Sequence, residues 1–304
     1  MSATQLSSVL QPKCYEFYSS KRPLPTVYFF ILYSIAAIFG VLLNSILLYA
    51  YFVGKKSILG SRETFNFMMR VYTAGDILLS ILSVPNIVLI SWEPNLKNIV
   101  WDIYIPVRNL VLNLIALLLL LLAIDRLIAV FAPTTRHWNK KLCTVLFMIP
   151  WLADMMLELA FFIITYSKDS ECSFKFSSIK FYSNYYALQT LIIFVSIGII
   201  YPCILGRVLY QWNVTKAGDN ESRKLAVKTN IRITLVILSI ALVVFWSMLP
   251  FFLSNYNLIP PLRYELYYSF FFISPIDAII FLASNNNFKS NFRKIFKNPF
   301  KGST

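Results

Sequence analysis

The charged side chains inside apolar stretches are the part of this sequence best placed to do chemistry. Arg70, Asp76, Arg108, Asp125, Arg126, Asp154, Glu158, Arg207 and Asp277 all fall within or at the ends of long apolar runs. A charge at the centre of a membrane helix costs about 2.5–3.5 kcal/mol, so each such group either pairs or serves a function. Arg70 and Arg207 lie near enough to a run end to snorkel, which gives them an ordinary role. Asp125 and Arg126 are neighbours at a boundary, where an acid and an arginine can close a local ion pair. Arg108 lies eighteen residues before Arg126, five helical turns or about 27 Å, so the two share one face at opposite ends. Arg108 and Glu158 both sit roughly 10–12 Å below the outer ends of their runs by helical rise. Two readings stay open for them, a bridge to each other or direct contact with a ligand. Asp154 stands one turn below Glu158 on the same face. No metal-ligand cluster and no Ser/His/Asp or Cys/His set can be assembled around His137, the single histidine, so the chemistry points away from an enzyme.

The elements that position these groups follow from composition. Of 304 residues, 58% are hydrophobic and 14% charged, so lipid must be the main solvent. A spanning helix needs roughly 20 mostly apolar residues. Runs of that kind recur around 27–53, 64–91, 101–131, 142–166, 183–212, 227–256 and 264–284. The fold class expected is therefore an all-α membrane protein, a seven-transmembrane helix bundle. Residues 1–26 form an extracellular N-terminal segment, 27–284 the helical domain and 285–304 a short cytoplasmic tail. The first 26 residues carry Lys13, Lys21 and Arg22 without an apolar stretch, so the first helix is expected to act as signal anchor.

The net charge of +14 does not mark a nucleic-acid binder, because the basic residues cluster at helix ends on one side. That side holds the 54–63, 132–141 and 213–226 loops with the tail, and carries sixteen basic residues against three acids. The opposite side has eight against six. The positive-inside rule puts the N-terminus outside and the C-terminus in the cytoplasm. Asn213 and Asn220 head glycosylation patterns that fall on the cytoplasmic side and are chance matches. Downstream of the last run, Phe288, Phe292, Ile295 and Phe296 recur at helical spacing with basic residues between, which predicts a short amphipathic eighth helix on the membrane surface.

The segment Ala-Ile-Asp125-Arg126-Leu127-Ile-Ala-Val-Phe-Ala-Pro133 resembles the Asp-Arg-Tyr signature of the rhodopsin-like (class A) G-protein-coupled receptors, with Leu127 for the tyrosine. Asn44, Asp76 and Trp151 resemble the marks of the first, second and fourth helices, in the right order. Pro202 and Tyr210 keep the family's eight-residue separation in the fifth. Phe245-Trp246-Ser247-Met248-Leu249-Pro250 resembles a divergent sixth-helix box with Met248 in the switch tryptophan's place. Asp277-Ala278-Ile279-Ile280-Phe281 resembles the seventh-helix motif without its proline and tyrosine, and Pro275 offers a displaced kink.

The resemblance implies a plasma-membrane receptor that passes the binding of an extracellular ligand to a heterotrimeric G protein. It assigns coupling and activation to Asp125, Arg126, Tyr210, Pro250, Asp277 and Phe281. It draws Asn44, Asp76, Ser274 and Asp277 into a core polar network, with a sodium ion or water as open alternatives for its centre and no other cofactor. Arg108, Glu158, Met248, Tyr267 and Phe271 are the ligand candidates. An arginine at the third-helix ligand position argues against a simple cationic amine, and a peptide stands ahead of a small chemosensory or acidic molecule. No lysine in the seventh helix could hold retinal. The family's usual outer disulfide cysteine is Trp101 here, so Cys172 either bonds Cys14 or both remain thiols. A seven-helix transporter or channel using the buried acids is the rival, and the lack of an internal repeat weighs against it.

Overall fold

The structure, a computed structural model, describes residues 27–53, 63–92, 97–132, 140–167, 172–216, 221–255 and 272–284. Among the described residues there are seven helices: α1 (Val27–Val53), α2 (Glu63–Trp92), α3 (Lys97–Phe131), α4 (Lys140–Ser167), α5 (Cys172–Lys216), α6 (Glu221–Asn255) and α7 (Ile273–Ser284). Runs this apolar have no water to hydrogen-bond their peptide groups, and a helix satisfies those groups internally. The stretches Ile31–Phe52, Val107–Phe131, Lys141–Ala160, Asn184–Thr215 and Lys224–Pro250 are long and apolar enough to cross a membrane. The described part of α7 is short and apolar. In α2 the hydropathy is diluted by a polar stripe, Thr64, Thr73, Asp76, Ser80 and Ser83, that the bundle buries, while Leu78 and Ile81 face outward.

Most boundaries match the sequence expectation within a few residues. The exception is α5, which starts at Cys172 rather than near 183. No glycine or proline interrupts the chain from Cys172 to Ile197, so nothing stops the helix from running out of the membrane through the segment expected as loop. Tyr185 and Tyr186 therefore sit well inside the helix rather than at its first turn.

The packing forms a ring with a centre. Helix α1 packs on α2 and α7, α7 on α6, and α6 on α5, while α3 touches α2, α4, α5 and α6. Burial follows from that order: 61% of the apolar window of α3 is buried, against 17% for α4. Leu118, Leu119 and Leu122 of α3 join Tyr72, Phe65 and Met69 of α2 and Ile233 and Ile237 of α6 in the main core. Helix α4 is built inside out. It exposes Leu146, Ile149, Met156, Leu159 and Ile163 and buries Cys143, Asp154 and Glu158.

Candidate functional site

The end of α3 nearest the basic loops carries the adjacent pair. Arg126 forms an ion pair with Asp125 through Nη2, and its Nε donates to the same carboxylate oxygen at 3.1 Å. The guanidinium carbon also lies 4.4 Å from the centroid of the Phe65 ring on α2, a cation–π distance. Both charged side chains are buried. The pairing fixes Arg126 against its own helix and α2, so the mouth of the bundle is capped by a group with a strong preference for negative partners.

The tyrosine expected here is not the one the structure supplies. Tyr210 is 60% exposed, with the Arg207 guanidinium 5.5 Å from its ring, and it does not face the mouth. Tyr201 is buried and lies within electrostatic reach of Arg126. The two are nine residues apart, two and a half turns, which sets them on opposite faces. Ile193, Ile197, Tyr201, Ile204 and Val208 form the buried stripe of α5, and that stripe is the signal that identifies Tyr201 over Tyr210. Val130, Ile204 and Val208 pack together beside it, and Gln211 Nε2 donates to the Val130 carbonyl at 3.2 Å, joining α5 to α3.

Deeper in the bundle, hydrogen bonds join Asn44, Ser274 and the backbone of Asp76, three of the four residues expected as a polar network, and Asp277 lies within electrostatic reach of Asp76. Asn44 Nδ2 donates to the Ser274 hydroxyl at 2.9 Å and to the Ser274 carbonyl at 3.0 Å. The Ser274 hydroxyl lies 3.1 Å from the Asp76 carbonyl and 2.7 Å from the hydroxyl of Ser80. Tyr72 donates to Asp277 Oδ2 at 2.5 Å. Tyr72 and Ser80 were not singled out by sequence. Asp76 Oδ1 and Asp277 Oδ1 are buried and accept no hydrogen bond among the described residues. Ala278, next to Asp277, and Phe281, one turn further along α7, are buried in the main core. Met248 is buried at the α6 position expected for the switch, whereas Trp246 is 65% exposed, and Pro250 lies inside an unbroken helix.

A second polar junction joins α3, α4 and α5. Asp154 accepts from Asn113 Nδ2, from Tyr185 Oη at 3.1 Å, and from Gln189 Nε2 at 3.0 Å to one oxygen and 3.1 Å to the other. Glu158, one turn away, is buried with Tyr186 beside it. Arg108 is also buried, but its guanidinium donates to Asn109 Oδ1 at 3.0 and 3.3 Å. Neither Glu158 oxygen accepts a hydrogen bond among the described residues, so Arg108 and Glu158 are not joined by one. Asn113 and Gln189 escaped sequence reasoning because a lone amide in an apolar run carries no signal of what it faces.

Tyr267, Phe271, Cys14, the side chain of Cys172 and the expected eighth helix lie outside the described residues. Cys143 and Cys203 are free thiols.

The sequence profile described as 7 transmembrane receptor (rhodopsin family) matches residues 43–274. No curated protein matches the sequence.

Proposed function

The chain belongs to the rhodopsin family of seven-transmembrane receptors, and from that premise we propose that it relays the binding of an extracellular ligand to a heterotrimeric G protein. It is a multi-pass membrane receptor, not an enzyme. In the proposed orientation the N-terminus is extracellular and the cytoplasmic end is the one bearing the basic loops, at the plasma membrane. A peptide is the favoured ligand, ahead of a small chemosensory or acidic molecule. Residues 27–284 form the receptor unit, preceded by an outer segment and followed by an amphipathic helix at the inner surface.

The observation that carries this reading is the state of Arg126. It is held by Asp125 and Phe65 at the inner end of α3, where α5 also converges. Swinging Arg126 away from these partners opens the space between α3, α5 and α6 to a G-protein helix. Tyr201 is the group on α5 positioned to receive it, in the role expected of Tyr210. On the ligand side, Arg108 and Glu158 are the polar contacts, and Met248, two residues before Pro250, senses the ligand. Pro250 removes a backbone hydrogen bond from α6 and so supplies the hinge. Asp277 and Phe281 couple α7 to the same movement.

Asp76 Oδ1 and Asp277 Oδ1, buried without a donor on carboxylates within electrostatic reach of each other, fit a monovalent cation such as sodium. Asp76 and Asp277 would hold it, with Ser274 alongside. When bound, the ion would neutralise the paired carboxylates.

The test is nucleotide exchange on a promiscuous G protein, stimulated by an agonist found with the same readout. Arg126→Ala is expected to lower exchange while surface expression stays intact. Undiminished exchange would overturn the coupling role.

A further inference from the structure

The buried face of α4 carries two carboxylates one turn apart, and the groups around them are unequally matched. Asp154 collects the donors: the amides of Asn113 and Gln189 and the hydroxyl of Tyr185 all point at it. Those amides turn their oxygens elsewhere, and neither Asn113 Oδ1 nor Gln189 Oε1 accepts a hydrogen bond among the described residues. Glu158 is 4% exposed, and neither of its oxygens accepts a hydrogen bond of ordinary geometry. Tyr186, alongside, has a single proton to offer a carboxylate with about four lone-pair sites. The junction thus holds a surplus of buried acceptors and negative charge. Leaving a carboxylate in an apolar medium without donors or a counter-charge is among the most costly arrangements in a membrane protein.

The missing complement must bring several N–H donors and a positive charge. We infer that it is the cationic head of the ligand, an ammonium, amidinium or guanidinium group, seated between α3, α4 and α5 against Glu158. The oxygens of Asn113 and Gln189 accept from the same head. Asp154, already filled by its own donors, acts at one remove by holding those two amides and deepening the negative potential. The rings of Tyr185 and Tyr186, edge to face at 5.6 Å, form an aromatic flank of the kind that favours cations. A peptide bearing a lysine, an arginine or a free amino terminus carries such a head. The inference rests on the receptor reading, which turns this half of the bundle toward the ligand, and names the chemistry that half selects.

Benzamidinium and benzamide are isosteric and differ in charge, which makes them the probes. The purified full-length chain in detergent is expected to melt at a higher temperature in benzamidinium and not in benzamide, because a ligand that binds only the folded state stabilises it. Glu158→Gln should lower benzamidinium affinity by about ten- to a hundredfold, the usual size of a hydrogen bond to a charged group. Asp154→Asn should lower it less. Equal shifts for the two probes, no shift with either, or a benzamidinium shift that survives Glu158→Gln would overturn the inference. If Glu158→Gln cannot be purified folded, Asp154→Asn decides, and an undiminished shift there overturns it. The measurement needs no G protein, so its failure and a failure of the Arg126 test are separate results.

Discussion

Two polar junctions cross this bundle, and they are built on different principles. At α1–α2–α7 hydroxyls and one amide stitch helix to helix through short side chains and backbone carbonyls, beside the carboxylates of Asp76 and Asp277. At α3–α4–α5 the central groups are carboxylates, approached by long side chains from neighbouring helices. Both junctions leave buried acceptors without donors, but the first also demands close helix contact, whereas the second is spanned by long side chains. In lipid there is no hydrophobic drive between helices, so tight packing and interhelical hydrogen bonds hold a bundle together. The stitches of the first junction have that character, while the second has few such short contacts between helices.

Close contact at the first junction depends on Gly40. A Cβ added there would stand 2.3 Å from Ser80 Oγ and 2.9 Å from Ser274 Oγ, and both hydroxyls are engaged in the network just described. Neither serine can turn away without breaking a bond between helices. Gly40→Ala is expected to destabilise the detergent-purified receptor by about 1–3 kcal/mol, the usual range for overpacking. An unchanged melting temperature would break the comparison at its strongest point, because it would mean that α1 can stand off from α2 and α7 at no cost.

The next test acts on one hydrogen bond of the same junction. Tyr72→Phe removes the donor to Asp277 Oδ2, and Asp277 Oδ1 already accepts none among the described residues. The expected loss is about 1 kcal/mol, toward the upper part of what interhelical hydrogen bonds contribute in membranes. The readout is again the melting temperature. A rise on losing the hydroxyl would show that Tyr72 strains the pair of acids rather than supporting it.

How far these junctions could be read from the sequence differs in an instructive way. Asn44, Asp76, Ser274 and Asp277 were legible because the resemblance of their helices to the family's motifs draws them together. Tyr72 and Ser80 were not, since a tyrosine or serine in a membrane helix is equally at home against lipid headgroups, other helices or its own backbone. Tyr210 was misplaced for a geometric reason. Counting from a proline fixes a separation along the helix, whereas only the phase of the buried stripe says which face a residue occupies, and that phase selects Tyr201. The partners of Asp154 were hidden because nothing in the runs holding Asn113, Tyr185 and Gln189 says which neighbouring helix each faces. The seven helices themselves were plain, because hydrocarbon imposes a length and a composition that few other environments require.

The smallest effect is expected at the second junction, and it is the one that most sharpens the contrast. Asp154 accepts from three side chains, which on a count of bonds would make it a keystone of α4. Yet a buried charge also carries a desolvation cost that its partners only partly offset, and replacing such a charge by a neutral group is often nearly neutral for stability. Asp154→Asn keeps the shape, keeps one acceptor oxygen and removes the charge. Its ligand-free stability, read from the melting temperature, is expected to move by no more than about 0.6 kcal/mol, the average size of an interhelical hydrogen bond in a membrane. The same variant should bind benzamidinium more weakly than the parent. Stability kept while cation binding falls separates a junction built for a ligand from one built for the fold. A large drop in melting temperature instead would place Asp154 with Asn44 and Ser274, as a stitch between helices.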